Sequence, residues 1–205
     1  MDEALEVRRF WFGRLPLKPE GVQERYALWY GSGPEEEQRA DERVRSGFGA
    51  LVERAAAGEL AAWADSPRRR LSLILLLDQF PRHVYRGTER AFATDREALA
   101  LTLSGMQSAA DAALTPVERI FFYMPLQHAE LRDAQEESVA AYRRLHNEAP
   151  PELESMFASS LKYAELHRSI VARFGRFPHR NRVLGRASTA EEEAYLRQGR
   201  DSFGQ

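Results

Sequence analysis

The 205-residue chain contains no cysteine. That excludes disulfides, thiolate nucleophiles and Cys-ligated zinc or iron–sulfur centres, and it fits a reducing compartment. Lysine is nearly missing as well: of 29 basic residues only Lys18 and Lys162 are lysine. Charge of one sign is also lacking, because 31 acidic residues leave a net charge of -2, which argues against wholesale electrostatic binding to nucleic acid or an anionic membrane. The longest apolar runs, LILLL at 73–77 and IFFYMPL at 120–126, fall far short of the roughly 20 residues that span a bilayer. The opening MDEALEVRRFWFG puts acids before bases and has no apolar core, so it does not read as a signal peptide, and cytoplasmic residence is the expectation. There is no GxxxxGK[ST] phosphate loop, GxGxxG unit, GxSxG elbow or HExxH pair. Five histidines without metal-ligand spacing, and no cysteine, predict no metal site and no cofactor.

Sustained two-residue alternation and Asn-Gly or Asp-Gly turns are absent too, and helix signals take their place. Ser66-Pro67 and Thr115-Pro116-Val117-Glu118 each put a cap before a first-turn proline, the second with a glutamate at the third helical position. Thr94 to Glu97 and Ser188 to Glu191 repeat the cap-to-glutamate spacing. Helices are predicted near 2–11, 19–30, 34–57, 67–80, 94–104, 116–124, 131–147, 151–174 and 189–199. Residues 67–80 are apolar nearly all round and should form the central helix. No Gly/Pro/Ser-rich linker and no exact repeat divides the chain, so 1–205 reads as a single all-α domain, an antiparallel helical array or bundle.

Four segments carry candidate chemistry. Asp78 follows the LILLL run and meets Arg82 four residues on, beside a proline that stops regular continuation. A carboxylate so placed must be paired, either in a structural network reaching Asp95 or facing a ligand. His128 and Glu130 stand in a segment that Pro125 is expected to disrupt, and such a pair suits either a general base or an ordinary buried hydrogen bond. Tyr163, His167 and Ile170 recur at helical spacing, so His167 is either a packing histidine or a neutral imidazole opening onto a cavity with His128. The fourth segment, residues 173–186, holds five arginines, His179 and no acid. Its Arg173, Arg176, His179, Arg180 and Asn181 are candidates to bind an anion, with pairing to acids of neighbouring helices as the alternative.

Leu76 to His83, Arg86-Gly87-Thr88, Ala91 to Asp95, Phe122 to Glu130 and Arg173 to Asn181 with Gly185-Arg186 together resemble the bacterial family catalogued as domain of unknown function 924. Phe10 to Gly13, Trp29 and Ser188-Thr189 with Glu192-Glu193 extend the likeness over nearly the whole chain. The resemblance implies a tetratricopeptide-repeat-like helical fold and supplies no activity. The sequence departs from the family's usual asparagine at His83 and usual serine at Ala129. If that serine takes part in chemistry among relatives, Ala129 removes it here.

These readings converge on one expectation: Asp78, Arg82, His128, Glu130, His167, Arg173, Arg176, His179, Arg180 and Asn181 line one polar cavity for a small anionic molecule. Proton transfer by His128, Glu130 or His167 would then be available. The alternative is a helical scaffold that receives an acidic peptide or protein segment. Nucleic acid and membrane are not expected partners, and the sequence leaves catalysis and oligomeric state unassigned.

Overall fold

Four helices open on a proline, whose missing N–H falls where a helix has no partner to offer it. The computed structural model describes residues 2–15, 17–31 and 33–198, and among them the chain is all-α, without a strand. The helices are α1 (Glu3–Phe12), α2 (Pro19–Tyr30), α3 (Pro34–Ala56), α4 (Pro67–Ile74), α5 (Phe80–Val84), α6 (Asp95–Gln107), α7 (Pro116–His128), α8 (Arg132–Asn147), α9 (Glu154–Phe174) and α10 (Ala190–Arg197). Short 3-10 turns join several of them. Gly199, the expected end of the last helix, and both ends of the expected 1–205 domain lie outside the described residues.

The predicted helix over 67–80 is found, but not as a regular one. Between α4 and α5 the segment Leu75–Gln79 is a π turn, in which the Phe80 N–H reaches back to the Leu75 carbonyl. Leu71 to Pro81 are all buried, and α4 contacts α1, α6 and α7, which makes this the central helix. α7 also differs from expectation: it runs through Pro125 to His128. Neighbours hold carbonyls along its length, with the Tyr142 hydroxyl on Ile120 at 2.7 Å and the Thr102 hydroxyl on Phe122 at 2.9 Å. These two carbonyls flank that of Phe121, the one to which Pro125 offers no N–H.

Expected caps are met at Thr115, where the Glu118 carboxylate accepts the Thr115 N–H at 2.9 Å. At the last helix the cap sits one residue later than predicted: Thr189 pairs with Glu192 at 2.7 and 3.2 Å. Thr94 makes no cap bond, because its hydroxyl donates to the Leu77 carbonyl instead.

α7, α8 and α9 form successive antiparallel neighbours. Tyr142 reaches Ile120 while Gln135 reaches Gln127, and the ion pairs Arg168–Glu136, Arg143–Glu165 and His146–Glu154 descend α9 as they climb α8. α7 and α9 therefore run in the same direction, with their C-terminal ends side by side. The core between α1, α2 and α7 is aromatic, with Phe121 touched by Trp29, Phe12 and Trp11 at ring-centroid distances of 4.9, 5.4 and 5.5 Å. α6 comes close to α7 at Gly105, where a Cβ would lie 2.6 Å from the Phe122 ring.

Candidate functional site

The π turn presents Asp78 to the interior, where its side chain is wholly buried. Burial alone would raise this carboxyl, but His128 and Arg82 outweigh it and hold Asp78 well below the ordinary carboxylate range. His128 Nδ1 lies 2.7 Å from Asp78 Oδ1, the Gln79 amide donates to Oδ2, and the Arg82 guanidinium stands 3.4 Å away. Arg82 also donates to both oxygens of Asp95, at 2.9 and 3.0 Å. The expected network from Asp78 through Arg82 to Asp95 is therefore present.

His128 closes the last turn of α7, and its place is fixed by Gln135, whose buried amide donates to the carbonyls of Gln127 and Ala129 at 2.8 and 2.7 Å. Burial first, then the charge on Arg82, depresses the His128 pKa below its ordinary value. A neutral ring that donates Nδ1–H to Asp78 carries its lone pair on Nε2, which is the arrangement of a base oriented by a carboxylate. On α9, His167 donates Nδ1–H to the Tyr163 carbonyl at 2.8 Å, and its ring centroid lies 6.3 Å from that of His128. Burial, with His128 nearby, pushes His167 down to about 3. His179 is likewise pushed down to about 3, by burial and then by Arg180. At neutral pH His167 and His179 are uncharged, and the shift at His128 has the same sign.

The basic loop divides. Arg180 is buried, its guanidinium carbon is 4.7 Å from the Phe92 ring centroid and 4.6 Å from that of Phe177, and it contacts Asp95 at 3.2 Å. Burial lowers it to about 10, and no described residue accepts from its buried Nε. Arg173, Arg176 and Arg186 turn toward carboxylates of the fold, and Arg182 is exposed. Arg173 pairs with Glu191 at 2.8 Å, and Arg176 grips both oxygens of Glu192 at 2.6 and 2.8 Å. Arg186 does the same to Glu130 at 2.6 and 2.9 Å. Glu130 also accepts the Phe177 N–H at 2.7 Å. Asn181 is buried between Arg186 Nε at 2.9 Å and the Ser188 hydroxyl at 3.1 Å.

A cavity of about 680 Å³ opens between α2, α7 and α9, and its wall includes Gln79, Arg82, His128, His167, His179 and Arg180. Asp78 stands directly behind His128. Glu130, Arg173, Arg176 and Asn181 do not reach this wall, a correction to the expectation of one shared lining. Local composition made all the loop's arginines look equivalent, whereas α10 supplies Glu191 and Glu192 to two of them. Pro125 does not bring His128 and Glu130 inward together either: the helix persists to His128, and Glu130 then leaves in the other direction to the loop.

Sequence reading missed a second carboxylate–cation cluster on the same wall. His83 Nδ1 lies 2.8 Å from Asp41, and Arg86 grips Asp41 at 2.7 and 2.9 Å. Its only local signal was the His83–Arg86 spacing, since Asp41 comes from α3. Among the described residues no group of three or more His, Asp or Glu side chains is arranged to hold a metal, and no helix is long and apolar enough to cross a membrane.

Fold and site together define an all-helical protein whose polar cavity gathers histidines and arginines from the central helix, α7, α9 and the arginine loop. Residues 7–200 match the model of a bacterial protein family of unknown function, domain of unknown function 924. The chain belongs to that family. Among solved structures it is similar to a protein of unknown function from Agrobacterium tumefaciens, with 35% identity, a TM-score of 0.71, and coverage of 87% of this chain and 97% of that one. No curated protein matches it at a significant level.

Proposed function

We propose that the cavity binds a small molecule with an anionic group, and that His128 serves there as a proton acceptor. One observation carries the reading: an Asp78-oriented imidazole and the incompletely paired Arg180 stand on the wall of the same cavity. The two guanidinium groups at this end, Arg82 and Arg180, face two carboxylates, Asp78 and Asp95, so net charge alone does not call for an anion. The uneven sharing does. Arg82 takes both oxygens of Asp95, and Arg180 keeps one contact of 3.2 Å. A carboxylate or phosphate oxygen would supply an acceptor to the terminal nitrogens of Arg180, of which Asp95 holds one.

In this reading His128 takes a proton at Nε2 while Asp78 stabilises the imidazolium that forms, and Gln135 holds the turn in place. Arg180 binds the anionic group, with His167 and His179 as uncharged polar walls. Cytoplasmic residence belongs to the same reading. The alternative, a scaffold for an acidic peptide, has less support, because Arg173, Arg176 and Arg186 each hold a carboxylate of their own fold.

The test is mass spectrometry of small molecules retained by freshly purified protein, followed by calorimetric titration of whatever is found. Arg180→Gln should weaken the retained ligand about tenfold or more, and Arg173→Gln should leave it unchanged. Equal affinity in the two variants would overturn the assignment.

A further inference from the structure

The cavity is larger than an anion needs, and its two ends differ in chemistry. A volume of about 680 Å³ lies in the range of roughly 300 to 1,000 Å³ that takes a drug-sized ligand, and an inorganic anion or acetate would fill a small part of it. From His128, α7 runs back through Met124, one turn or about 6 Å away, to Ile120, and both residues belong to the cavity wall, Ile120 with no exposed surface. Along α9 the wall continues from His167 back through Tyr163 to Met156, about 16 Å at the helical rise. The histidines thus sit at one end, and the methionines line the way to the other together with Ser155, Ser159 and Ser160.

Tyrosines stand at the surface of this cavity, and Tyr163 lies one helical turn from His167. Tyr26, Tyr30 and Tyr163 all belong to the wall and remain 49%, 43% and 53% exposed. Tyr26 and Tyr30 stack obliquely with ring centroids 5.0 Å apart, and the Tyr30 hydroxyl is an electrostatic neighbour of both Tyr26 and Tyr163. Among the described residues six large hydrophobic or aromatic side chains are exposed, and these three gather at one mouth. Scattered exposure needs no explanation, whereas a cluster at the entrance of a cavity marks a contact surface. The rings offer wide faces with few torsions to freeze, and hydroxyl tips that keep the mouth wet.

We propose that the ligand is an amphipathic acid: an anionic head group at Arg180 and His128, and an aromatic or aliphatic body that lies beside the tyrosines and along Met124 and Met156. The head group rests on the reading given under Proposed function; the body rests on the shape and lining of the cavity. The occupant is a small molecule, since the methionine-lined part is continuous with the histidine end and one molecule has to satisfy both.

Four probes separate the two parts: 4-phenylbutanoate, its uncharged amide, acetate and inorganic phosphate. Binding is read by calorimetry and by fluorescence, for which Trp29 on the cavity wall is a built-in reporter. 4-Phenylbutanoate is expected to bind at least tenfold more tightly than acetate, phosphate or the amide. Tyr163→Ala and Tyr26→Ala should each lower its affinity by several-fold to about tenfold and leave acetate unchanged. Both side chains are exposed, so these variants keep the fold. Acetate binding as tightly as 4-phenylbutanoate would overturn the amphipathic ligand and leave the anion site standing. The amide binding as tightly as the acid would overturn the anionic head group. No response to any of the four would overturn both.

Discussion

The Thr94 hydroxyl donates to the Leu77 carbonyl at 2.6 Å, four residues before Pro81, which has no N–H to offer it. The contact ties the start of α6 to the π turn that carries Asp78, and it explains why Thr94 does not cap its own helix. Replacing Thr94 with Val keeps the shape and removes the donor. Stability should fall by about 1 kcal/mol, as for one hydrogen bond to a partly buried acceptor. A urea midpoint equal to that of the parent chain would show that Leu77 does not need this donor.

Asp78 and Arg173 sit at opposite extremes of ion pairing. Asp78→Ala leaves His128 Nδ1 and the Gln79 amide without their acceptor in a hole in the core, removes one of the two carboxylates facing Arg82 and Arg180, and should cost about 3 to 5 kcal/mol. Arg173→Ala breaks an exposed pair with Glu191 and should change stability by less than about 1 kcal/mol. Denaturant titration of both variants decides the ranking. Similar losses would mean that burial does not govern these pairs.

Arg176 and Arg180 are four residues apart and should respond in opposite ways. Arg176 holds a buried carboxylate, pulled down to about 2 by its hydrogen bonds, and lies off the cavity wall. Arg176→Met should therefore lower the unfolding midpoint and leave the binding of 4-phenylbutanoate unchanged, whereas Arg180→Met should weaken that binding. Calorimetry and thermal unfolding on the same two variants check both halves, and a loss of affinity in Arg176→Met would refute the division of the loop.

The buried histidines predict acid sensitivity. The unfolded chain takes a proton on His167 as pH falls through its ordinary value of 6.5, and the folded chain resists until about 3. The unfolded state therefore binds more protons between those limits, so stability is full above about 6.5 and drains away as pH falls toward 3. Asp78, depressed in the fold, adds a loss of the same sign at more acid pH. His167→Gln cannot titrate and should flatten the dependence of the urea midpoint on pH between about 6.5 and 4. An unchanged slope would assign the acid sensitivity elsewhere.

Much of this architecture was legible because its signals are local. Thr115, Pro116 and Glu118 lie within one turn and marked the start of α7, and Asp78 beside LILLL announced a paired carboxylate. The failures have a common cause in partners distant along the chain. Asp41 meets His83 and Arg86 across more than forty residues, and Glu192 claims Arg176 from the next helix, so composition alone could not separate Arg176 from Arg180. Gln135, which fixes His128 through α7 carbonyls, looked like any polar residue of an amphipathic helix. The π turn had one faint sign, an apolar run too long for its helix that ended in Asp78-Gln79 before a proline. The tyrosine mouth required knowing that α2 and α9 come together.

A π turn is a helix with one residue too many, and that makes the polar wall depend on how the segment winds as well as on side-chain identity. Each residue of a regular α-helix turns the chain by about 100°, and the wider winding of Leu75–Gln79 absorbs about one such step. Arg82, His83 and Arg86 therefore keep their phase relative to Leu71 and Ile74 in spite of the surplus residue. The same sequence wound as a regular α-helix with no residue removed would swing these three side chains by about 100° and carry both carboxylate–cation clusters off the cavity wall together.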